Sequence, residues 1–269
     1  MNILHDLQQA GLEKCASIDR NELRVDNIIL GKSLYTMAQC DDVFTDMNLC
    51  ITLLEDAYGF SYFHDDISYK LEHFVNKRIP EVLEAHLPTY FRVAIVDAIY
   101  SLIHSKQGEQ PKHYFSGNLR EKATQRAQAL LHGIPEGANV ALLGAVSEIV
   151  QEARDRLINI NVIDLQSQKV GLNIDNNDTV QKSTTSSTND IFKNADYAIA
   201  SGMIFATQTA EEVFESAKKH DTKLILFMET GANFGRELTR YGAYRVLSEY
   251  FPFYDFHGNT RYDLFEQER

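Results

Sequence analysis

The second half of the chain alternates short apolar runs with amphipathic segments, and this alternation restricts the possible folds more than any other feature. The apolar runs predict five strands, at residues 140–143, 160–164, 197–200, 224–228 and 244–247. Helical spacing between them predicts helices at residues 146–157, 191–194, 209–220 and 234–241. Strands that alternate with helices form a parallel sheet covered by helices. We therefore expect an α/β fold with a Rossmann-like domain over residues 133–269.

Small and polar residues gather where the predicted strands end. In a parallel α/β sheet, ligands bind at the carboxyl ends of the strands. This rule predicts a ligand cleft lined by Gly144, Ala145, Asp164, Ser201, Gly202, Thr230, Gly231 and Asn233. Within the same cleft, Asp164 and Glu229 would supply hydrogen-bond acceptors or metal ligands.

The turn after the first of these strands contains one glycine, Gly144. An isolated glycine allows a ligand to approach the backbone and leaves the N–H groups of the following helix available to an anion. A dinucleotide fingerprint requires G-x-G-x-x-G, and the two further glycines are missing. Asp164 at the end of the second strand is either a ribose ligand, as in adenosine-binding domains, or a solvated turn residue.

The first half of the chain predicts a smaller α+β domain over residues 1–132. A hairpin of two strands is expected around Gly31, at residues 23–30 and 33–38, and residues 43–58 fit both helix and strand, of which we favour helix. Further helices are predicted at residues 2–18, 68–87, 90–105 and 119–132. The segment 90–105 is strongly apolar but contains Asp97, which either bonds to a neighbouring element or contributes to a cleft between the domains.

Charge and cysteine usage limit the classes of function. The formal net charge of −12 argues against nucleic acid as a partner, because binding phosphates requires clustered Lys and Arg. The three cysteines form no CxxC pair, so the sequence indicates neither a zinc knuckle nor a disulfide framework. The apolar runs are shorter than the ~20 residues of a membrane helix, and no signal peptide is visible. We expect a soluble cytoplasmic protein with no membrane partner.

Two segments outside the predicted core could carry function. Residues 166–190 are polar, and so long a loop in an α/β domain is either a lid or plain disorder. Residues 249–269 are rich in Tyr and Phe and are expected to pack on the domain or on a partner subunit. A homodimer is therefore compatible with the sequence, and the sequence does not determine the oligomeric state.

The strand-end segments also resemble a known family, the heavy-metal chelation family, which has a Rossmann-like domain of unknown function. The resemblance is carried by residues 195–214, 224–233 and 238–247, in which Glu229 and Asn233 stand in a turn that is usually richer in glycine and proline. Residues 25–36 and 91–100 resemble the hairpin and helix of that family's first domain, which is similar to the enolase N-terminal fold. The resemblance implies a two-domain protein that handles metals or metallophores.

Three functions remain open at this point. The first is binding of a small anionic or metal-chelating ligand in the cleft, as the family resemblance implies. The second is a biosynthetic enzyme that uses an adenosine-type cofactor such as S-adenosylmethionine. The third is a non-catalytic accessory protein that binds a peptide or partner protein through the aromatic tail. The sequence names neither the ligand nor a reaction, so catalytic residues cannot be assigned.

Overall fold

The computed structural model describes residues 2–17, 23–37, 40–64, 69–107, 113–165, 173–174, 178–179, 181–182, 185–253 and 256–267. Within these residues the protein is a mixed α/β structure with a small antiparallel sheet and a large, mostly parallel sheet. No helix among them combines the length and the apolar character that crossing a membrane requires.

The small sheet has three antiparallel strands in the order β1-β2-β3. It consists of β1 (Asn27–Met37), β2 (Cys40–Leu54) and β3 (Ala57–Phe63). The helices around it are α1 (Ile3–Ser17), a 3₁₀ turn (Glu72–Phe74), α2 (Ile79–Glu84) and α3 (Thr89–Lys106).

The large sheet contains eight strands: β4 (His113–Phe115), β5 (Asn139–Leu143), β6 (Asn159–Asp164), β9 (Gln181–Lys182), β10 (Tyr197–Ser201), β11 (Lys223–Met228), β12 (Arg245–Glu249) and β13 (Thr260–Glu266). Their order is β4-β13-β12-β11-β10-β5-β6-β9. β13 runs antiparallel to both of its neighbours, and the other seven strands run in one direction. A separate pair is formed by β7 (Asn173–Ile174) and β8 (Asp178–Thr179).

Helices cover both faces of the large sheet. The helices are α4 (Leu119–Leu130), α5 (Ser147–Asp155), α6 (Thr185–Lys193), α7 (Met203–Ala206) and α8 (Ala210–His220), with a 3₁₀ helix at Ala232–Tyr241. One core lies between the sheet and α4 and α5, where Leu130 and Val150 pack on Leu142 and Phe227. The opposite face carries α1, α3 and α8, so the sheet lies between two helical layers.

Helix α3 joins the two sheets. Val93 and Val96 belong to the core of the large sheet, whereas Ile95 and Ile99 belong to the core under the small sheet. All four side chains are fully buried. Burying one side chain of this kind contributes about 1.5–3 kcal/mol. A helix that is apolar on all sides is therefore expected between two packed layers, and the predicted helix at residues 90–105 is confirmed.

The helix favoured for residues 43–58 is wrong, because this segment forms β2 and the start of β3. The even-numbered side chains Cys50 and Leu54 pack under α3, while Ile51, on the other side of the strand, packs on Phe60 and Phe253. Both faces of the strand are thus covered by protein between Cys50 and Leu54. The resulting continuous apolar run imitates helical spacing.

Two further predictions for the first half are corrected. Gly31 does not form a turn: β1 runs through it and pairs with β2 opposite Leu49. The described residues 69–87 do not form one helix: a 3₁₀ turn covers Glu72–Phe74, and α2 begins only at Ile79, next to Pro80. Ser68 lies outside the described residues. Val25 N–H donates to Lys77 O, which holds the chain before α2 in an extended conformation.

The predicted α/β alternation of the second half is confirmed. All five predicted strands are present in the parallel sheet. Residues 166–190 contain the short strands β7, β8 and β9 and the start of α6. The rest of that segment lies outside the described residues.

The aromatic tail supplies β13 to the large sheet. Tyr254 and Asp255 of the tail lie outside the described residues. The domain division at residue 132 stays a prediction; β4 and α4, which precede it, belong to the large sheet and its helical cover.

Candidate functional site

The order of the strands reverses direction between β5 and β10. From β5 the chain proceeds to β6 and β9 on one side, and then returns to β10 and β11 on the other. The helix after β5 covers one face of the sheet, and the helices after β10 cover the other. The two connections therefore diverge, and in open α/β sheets such a divergence marks the crevice at the carboxyl ends of the strands where ligands bind.

The register of the strands places three of the predicted site residues side by side. Leu143 lies opposite both Ile163 and Ala200. The residues that follow, Asp164, Gly144 and Ser201, thus leave the sheet next to one another. Gly144 and Ser201 are partly exposed, so a ligand could reach this part of the crevice.

The turn after β5 uses its backbone donors within the protein. Gly144 has a φ of +101°, which favours glycine, and its N–H donates to Ile163 O at 2.8 Å. Ala145 N–H donates to Asp164 Oδ2, also at 2.8 Å. Asp164 is only 5% exposed. Asp164 is thus a buried partner of the turn, and the donor that a phosphate would use at Ala145 is already occupied.

The N-terminus of α5 carries negative charge of its own. Glu148 lies in the first turn of the helix, where a carboxylate is favoured by the helix dipole. Ser147 Oγ donates to Glu148 Oε2 at 3.3 Å. Residues Gly144 to Glu148 are all partly exposed. The crevice therefore presents carboxylates where a phosphate-binding Rossmann domain presents free N–H groups.

A buried ion cluster lies at the neighbouring strand ends. Arg126 Nη1 of α4 lies 2.6 Å from Glu229 Oε1 and 3.6 Å from Glu249 Oε2. The side chains of Arg126 and Glu249 are 4% and 1% exposed, and that of Glu229 is 15% exposed. The guanidinium also lies over the Phe227 ring, 5.7 Å from its centroid. Arg126 thus contacts two carboxylates at the carboxyl ends of adjacent strands, Glu229 after β11 and Glu249 at the end of β12.

Sequence reasoning did not identify Arg126 or Glu249. A signal was available for Arg126, because helical spacing places it on the same face of α4 as Ala123, Ala127 and Leu130. A charged residue on an apolar helix face requires a buried partner. Nothing in the local pattern identified which carboxylates would meet it, since these lie more than a hundred residues away.

The loop after β11 faces the small sheet, away from the crevice. Tyr62 N–H donates to Thr230 Oγ1 at 2.9 Å, and Gly231 N–H donates to Phe60 O at 3.2 Å. Thr230 is 1% exposed and Asn233 6%. A Cβ on Gly202 would overlap Thr230 O, so Gly202 packs against this loop. These four predicted ligand-binding residues come together, but they serve an internal contact.

Asp97 of α3 lies at the centre of that contact and is fully buried. Its Oδ2 accepts from Phe60 N–H and from Asn233 Nδ2, both at 2.9 Å, and its Oδ1 accepts from Asn233 N–H at 2.7 Å. Burial raises the pKa of the carboxyl to about 7, although these hydrogen bonds oppose the rise. Of the two alternatives for Asp97, bonding to neighbouring elements is the one observed.

The two predicted metal ligands do not converge. Asp164 bonds to the β5–α5 turn, whereas Glu229 pairs with Arg126 three strands away. Across the described ranges, no three His, Cys, Asp or Glu side chains are placed to hold one ion. Their role as metal ligands stays a prediction, and this arrangement does not fit a bare ion bound by protein ligands alone.

A cavity of about 340 Å³ lies elsewhere in the molecule, among α1, α2 and α3. It is lined by Leu12, Cys15, Ala16, Leu23, Arg78, Ile79, Pro80 and Ile99. None of these residues lies at a strand end of the large sheet. We place the candidate site at the β5/β10 crevice, because strand topology and partly exposed turns coincide there.

Comparison with known proteins supports the fold. No protein-family model and no curated protein matches this chain. A DUF364-family protein of unknown function from Desulfitobacterium hafniense DCB-2 is similar over 90% of this chain and 86% of its own, with 10% identity and a TM-score of 0.56. Another DUF364-family protein of unknown function, from Pyrococcus horikoshii, is similar over 98% of this chain and 99% of its own. Its identity is 12% and its TM-score is 0.54. The α/β architecture with a Rossmann-like domain is therefore shared with DUF364 proteins.

Proposed function

We propose that this protein binds a small molecule in the crevice between the turns after β5 and β10. The observation that carries the proposal is the reversal of strand order between these two strands, with Gly144 and Ser201 partly exposed on either side of it. In open α/β sheets this is the position at which ligands bind.

The charges around the crevice favour a metal chelate without net negative charge. Asp164 occupies the Ala145 N–H, and Glu148 lies at the N-terminus of α5. The cluster at the neighbouring strand ends has two carboxylates and one guanidinium. The anionic ligand considered from the sequence would be repelled here. A chelate brings most of its own metal ligands, so it does not need three converging protein side chains.

Calorimetric titration tests this proposal. The probes are Zn²⁺ and Ni²⁺ alone, their bis-histidine complexes, and their anionic EDTA complexes. We expect heat of binding with the histidine complexes and none with the EDTA complexes. No heat with any probe would count against the proposal, and equal binding of the EDTA complexes would contradict the charge argument.

A matched pair of variants locates the binding site. Glu148→Gln removes one negative charge beside the crevice, so it should leave binding of the neutral histidine complexes nearly unchanged and weaken the exclusion of the anionic EDTA complexes. Glu136→Gln makes the same change at an exposed position before the amino end of β5 and should change neither. Equal effects of the two variants would exclude the crevice.

The adenosine-cofactor alternative makes a different prediction. Asp164 ends β6, where a ribose ligand would lie, but its Oδ2 accepts from Ala145 N–H instead. A thermal-shift screen with S-adenosylmethionine, NAD and ATP separates the two functions. Stabilisation by only one of these three compounds would favour the enzyme with an adenosine-type cofactor. We expect that none of the three stabilises the protein.

A further inference from the structure

The cavity among α1, α2 and α3 is large enough to hold a small molecule. Its volume of about 340 Å³ lies at the lower end of the ~300–1,000 Å³ that is typical of ligand pockets. The described residues that line it all belong to the first half of the chain, whereas the crevice lies between the turns after β5 and β10. The cavity and the crevice are therefore separate positions.

The floor of the cavity is apolar, and its rim reaches the surface. Leu23, Ile79 and Ile99 line the cavity and are buried. Ala16 and Pro80, which also line it, are exposed. An apolar cavity of about 150 Å³ binds benzene, so the present volume has room for roughly a dozen non-hydrogen atoms.

A close helix contact fixes the separation of two walls of the cavity. Helix α1 approaches α3 at Gly11, where a Cβ would lie 3.0 Å from Ile99 Cγ2. The lining residues of α1 begin directly after this contact, at Leu12. Ile99 belongs both to the contact and to the lining. The cavity therefore lies beside a closely packed helix pair, whose contact sets the distance between the two walls.

One charged side chain, that of Arg78, occurs among the described residues that line the cavity. Its Nε atom is buried, while 38% of the side chain is exposed. The guanidinium thus lies partly inside the protein, next to apolar walls. Glu81 Oε1 lies 4.0 Å from Arg78 Nη1, which is too long for a hydrogen bond and is typical of a weak surface pair. Glu81 therefore competes only weakly with a carboxylate that binds to the guanidinium.

The backbone that carries this guanidinium is held in place by the extended segment before β1. Arg24 forms an antiparallel bridge with Arg78. Ile79 N–H donates to Leu23 O at 2.9 Å, so a residue of the cavity floor is fixed by the same pairing. The position of Arg78 is thus set before a ligand arrives, which lowers the entropic cost of binding.

We propose that this cavity binds a monocarboxylate with an apolar body, whose carboxylate pairs with Arg78 while the body lies between α1 and α3. A planar guanidinium matches a carboxylate through two parallel hydrogen bonds. The apolar walls favour a hydrocarbon chain or an aromatic ring over a polar body. A phosphate with two charges fits less well, because the described lining offers a single cation. The proposal concerns only the cavity, and it stands whether or not a ligand binds in the crevice.

Three probes of similar shape test the proposal on the wild-type protein. Hydrocinnamate has a phenyl ring, two methylene groups and a carboxylate; hydrocinnamamide is its neutral counterpart, and phenylpropylamine is positively charged. Each is titrated into the ¹⁵N-labelled protein, and binding is monitored through the backbone amides. We expect saturable shifts at Cys15, Ile79 and Ile99 with hydrocinnamate. The amide should bind about tenfold more weakly, because it lacks the charge-assisted hydrogen bonds, and the amine more weakly still.

Three results would overturn the proposal. The first is the lack of a saturable shift with hydrocinnamate at millimolar concentration. The second is a set of shifts centred on Gly144 and Ser201, which would assign the carboxylate to the crevice instead of the cavity. The third is equal binding of hydrocinnamate and its amide, because the carboxylate would then gain nothing from Arg78.

A matched pair of arginine variants assigns the carboxylate contact. Arg78→Met keeps the apolar stem, so it should weaken hydrocinnamate binding about tenfold and remove the advantage of hydrocinnamate over the amide. Arg24→Met removes a guanidinium whose Nη1 donates to Asn76 O, outside the cavity, and should preserve that advantage. Loss of the advantage in both variants would contradict the pairing with Arg78.

A third variant tests whether the apolar body lies in the cavity. Ala16→Phe places a ring at the exposed rim and should weaken binding of all three probes. Unchanged binding of hydrocinnamate in a folded Ala16→Phe protein would contradict the proposed position. If a variant does not fold, the probe series on the wild-type protein still decides.

Discussion

Arg126 and Glu229 lie 2.6 Å apart, and this ion pair joins a helix on one face of the large sheet to the carboxyl end of β11. The same guanidinium lies 3.6 Å from Glu249, the last residue of the adjacent strand β12. Two carboxylates on neighbouring strands would repel each other without a cation between them. Arg126 therefore allows two acidic residues to share one strand-end region.

Removing the charge of Arg126 should destabilise the protein strongly. Arg126→Met retains most of the apolar stem but leaves Glu229 and Glu249 without this cation. We expect the free energy of unfolding to fall by about 3–5 kcal/mol, as when one partner of a buried ion pair is removed. Urea unfolding measures this change in unfolding free energy. Arg126→Lys is the control, because it keeps the positive charge and should lose less unfolding free energy than Arg126→Met. A loss below about 0.5 kcal/mol in Arg126→Met would show that the cluster does not matter for stability.

Gly59 should tolerate no side chain. In Gly59→Ala the new methyl group would overlap the α3 backbone at Ala94 and Ala98, so β3 and α3 must separate. We expect a loss of about 2–4 kcal/mol in unfolding free energy, at the upper end for overpacking. Gly137→Ala is the control, because its Cβ would meet nothing within 4 Å and only its φ of +77° is unfavourable, at a cost of about 1–2 kcal/mol. Equal losses would contradict this account of the β3–α3 contact.

Asp97 should also make global stability depend on pH. Because its pKa is raised in the folded protein to about 7, the stabilising contribution is complete below the unfolded value near 4 and is lost as the pH rises through 7. Between pH 5 and pH 8 this amounts to roughly 2–3 kcal/mol. Urea unfolding at both pH values should show this loss in the wild type, relative to Asp97→Asn. A difference of opposite sign would contradict the raised pKa.

Thr230 should matter to the contact between β3 and the loop after β11 more than to ligand binding. Thr230→Val keeps the shape of the side chain but removes the Oγ1 that accepts from Tyr62 N–H in a partly buried hydrogen bond. We expect a loss of about 0.5–1.5 kcal/mol in unfolding free energy, the net contribution of one such hydrogen bond. Thr230→Ser retains the hydroxyl and is the control. If Thr230→Val abolished ligand binding while stability was unchanged, the predicted ligand-binding role of Thr230 would be restored.

The sequence predicted the parallel sheet because its strands are buried on both faces and are separated by amphipathic helices. The same rule failed at residues 43–58, where an antiparallel strand is also covered on both sides and Cys50, Ile51 and Leu54 imitate helical spacing. Local pattern does not record what covers a segment. It could not show that Thr230 and Asn233 would form hydrogen bonds with β3, because their partners Tyr62 and Tyr58 lie about 170 residues earlier in the chain.

The candidate site was predicted in part. The strand-end rule pointed to Gly144 and Ser201, and the pairing of Leu143 with Ala200 places these two residues where the two strands leave the sheet. The role of Asp164 depends on a hydrogen bond to Ala145 that no spacing rule predicts. Asp97 stood out in the sequence as a charge in an apolar helix, but its partners became visible only with the tertiary structure.

The central claim is that a small ligand binds between the turns after β5 and β10. Its most direct test is a titration of the ¹⁵N-labelled protein with the zinc–histidine complex. Binding is monitored through the chemical shifts of the backbone amides. We expect the largest shifts at residues 144–148 and 201–203. Shifts confined to other parts of the molecule, such as the cavity lined by Leu12 and Ile99, or no saturable shifts at all, would contradict the claim.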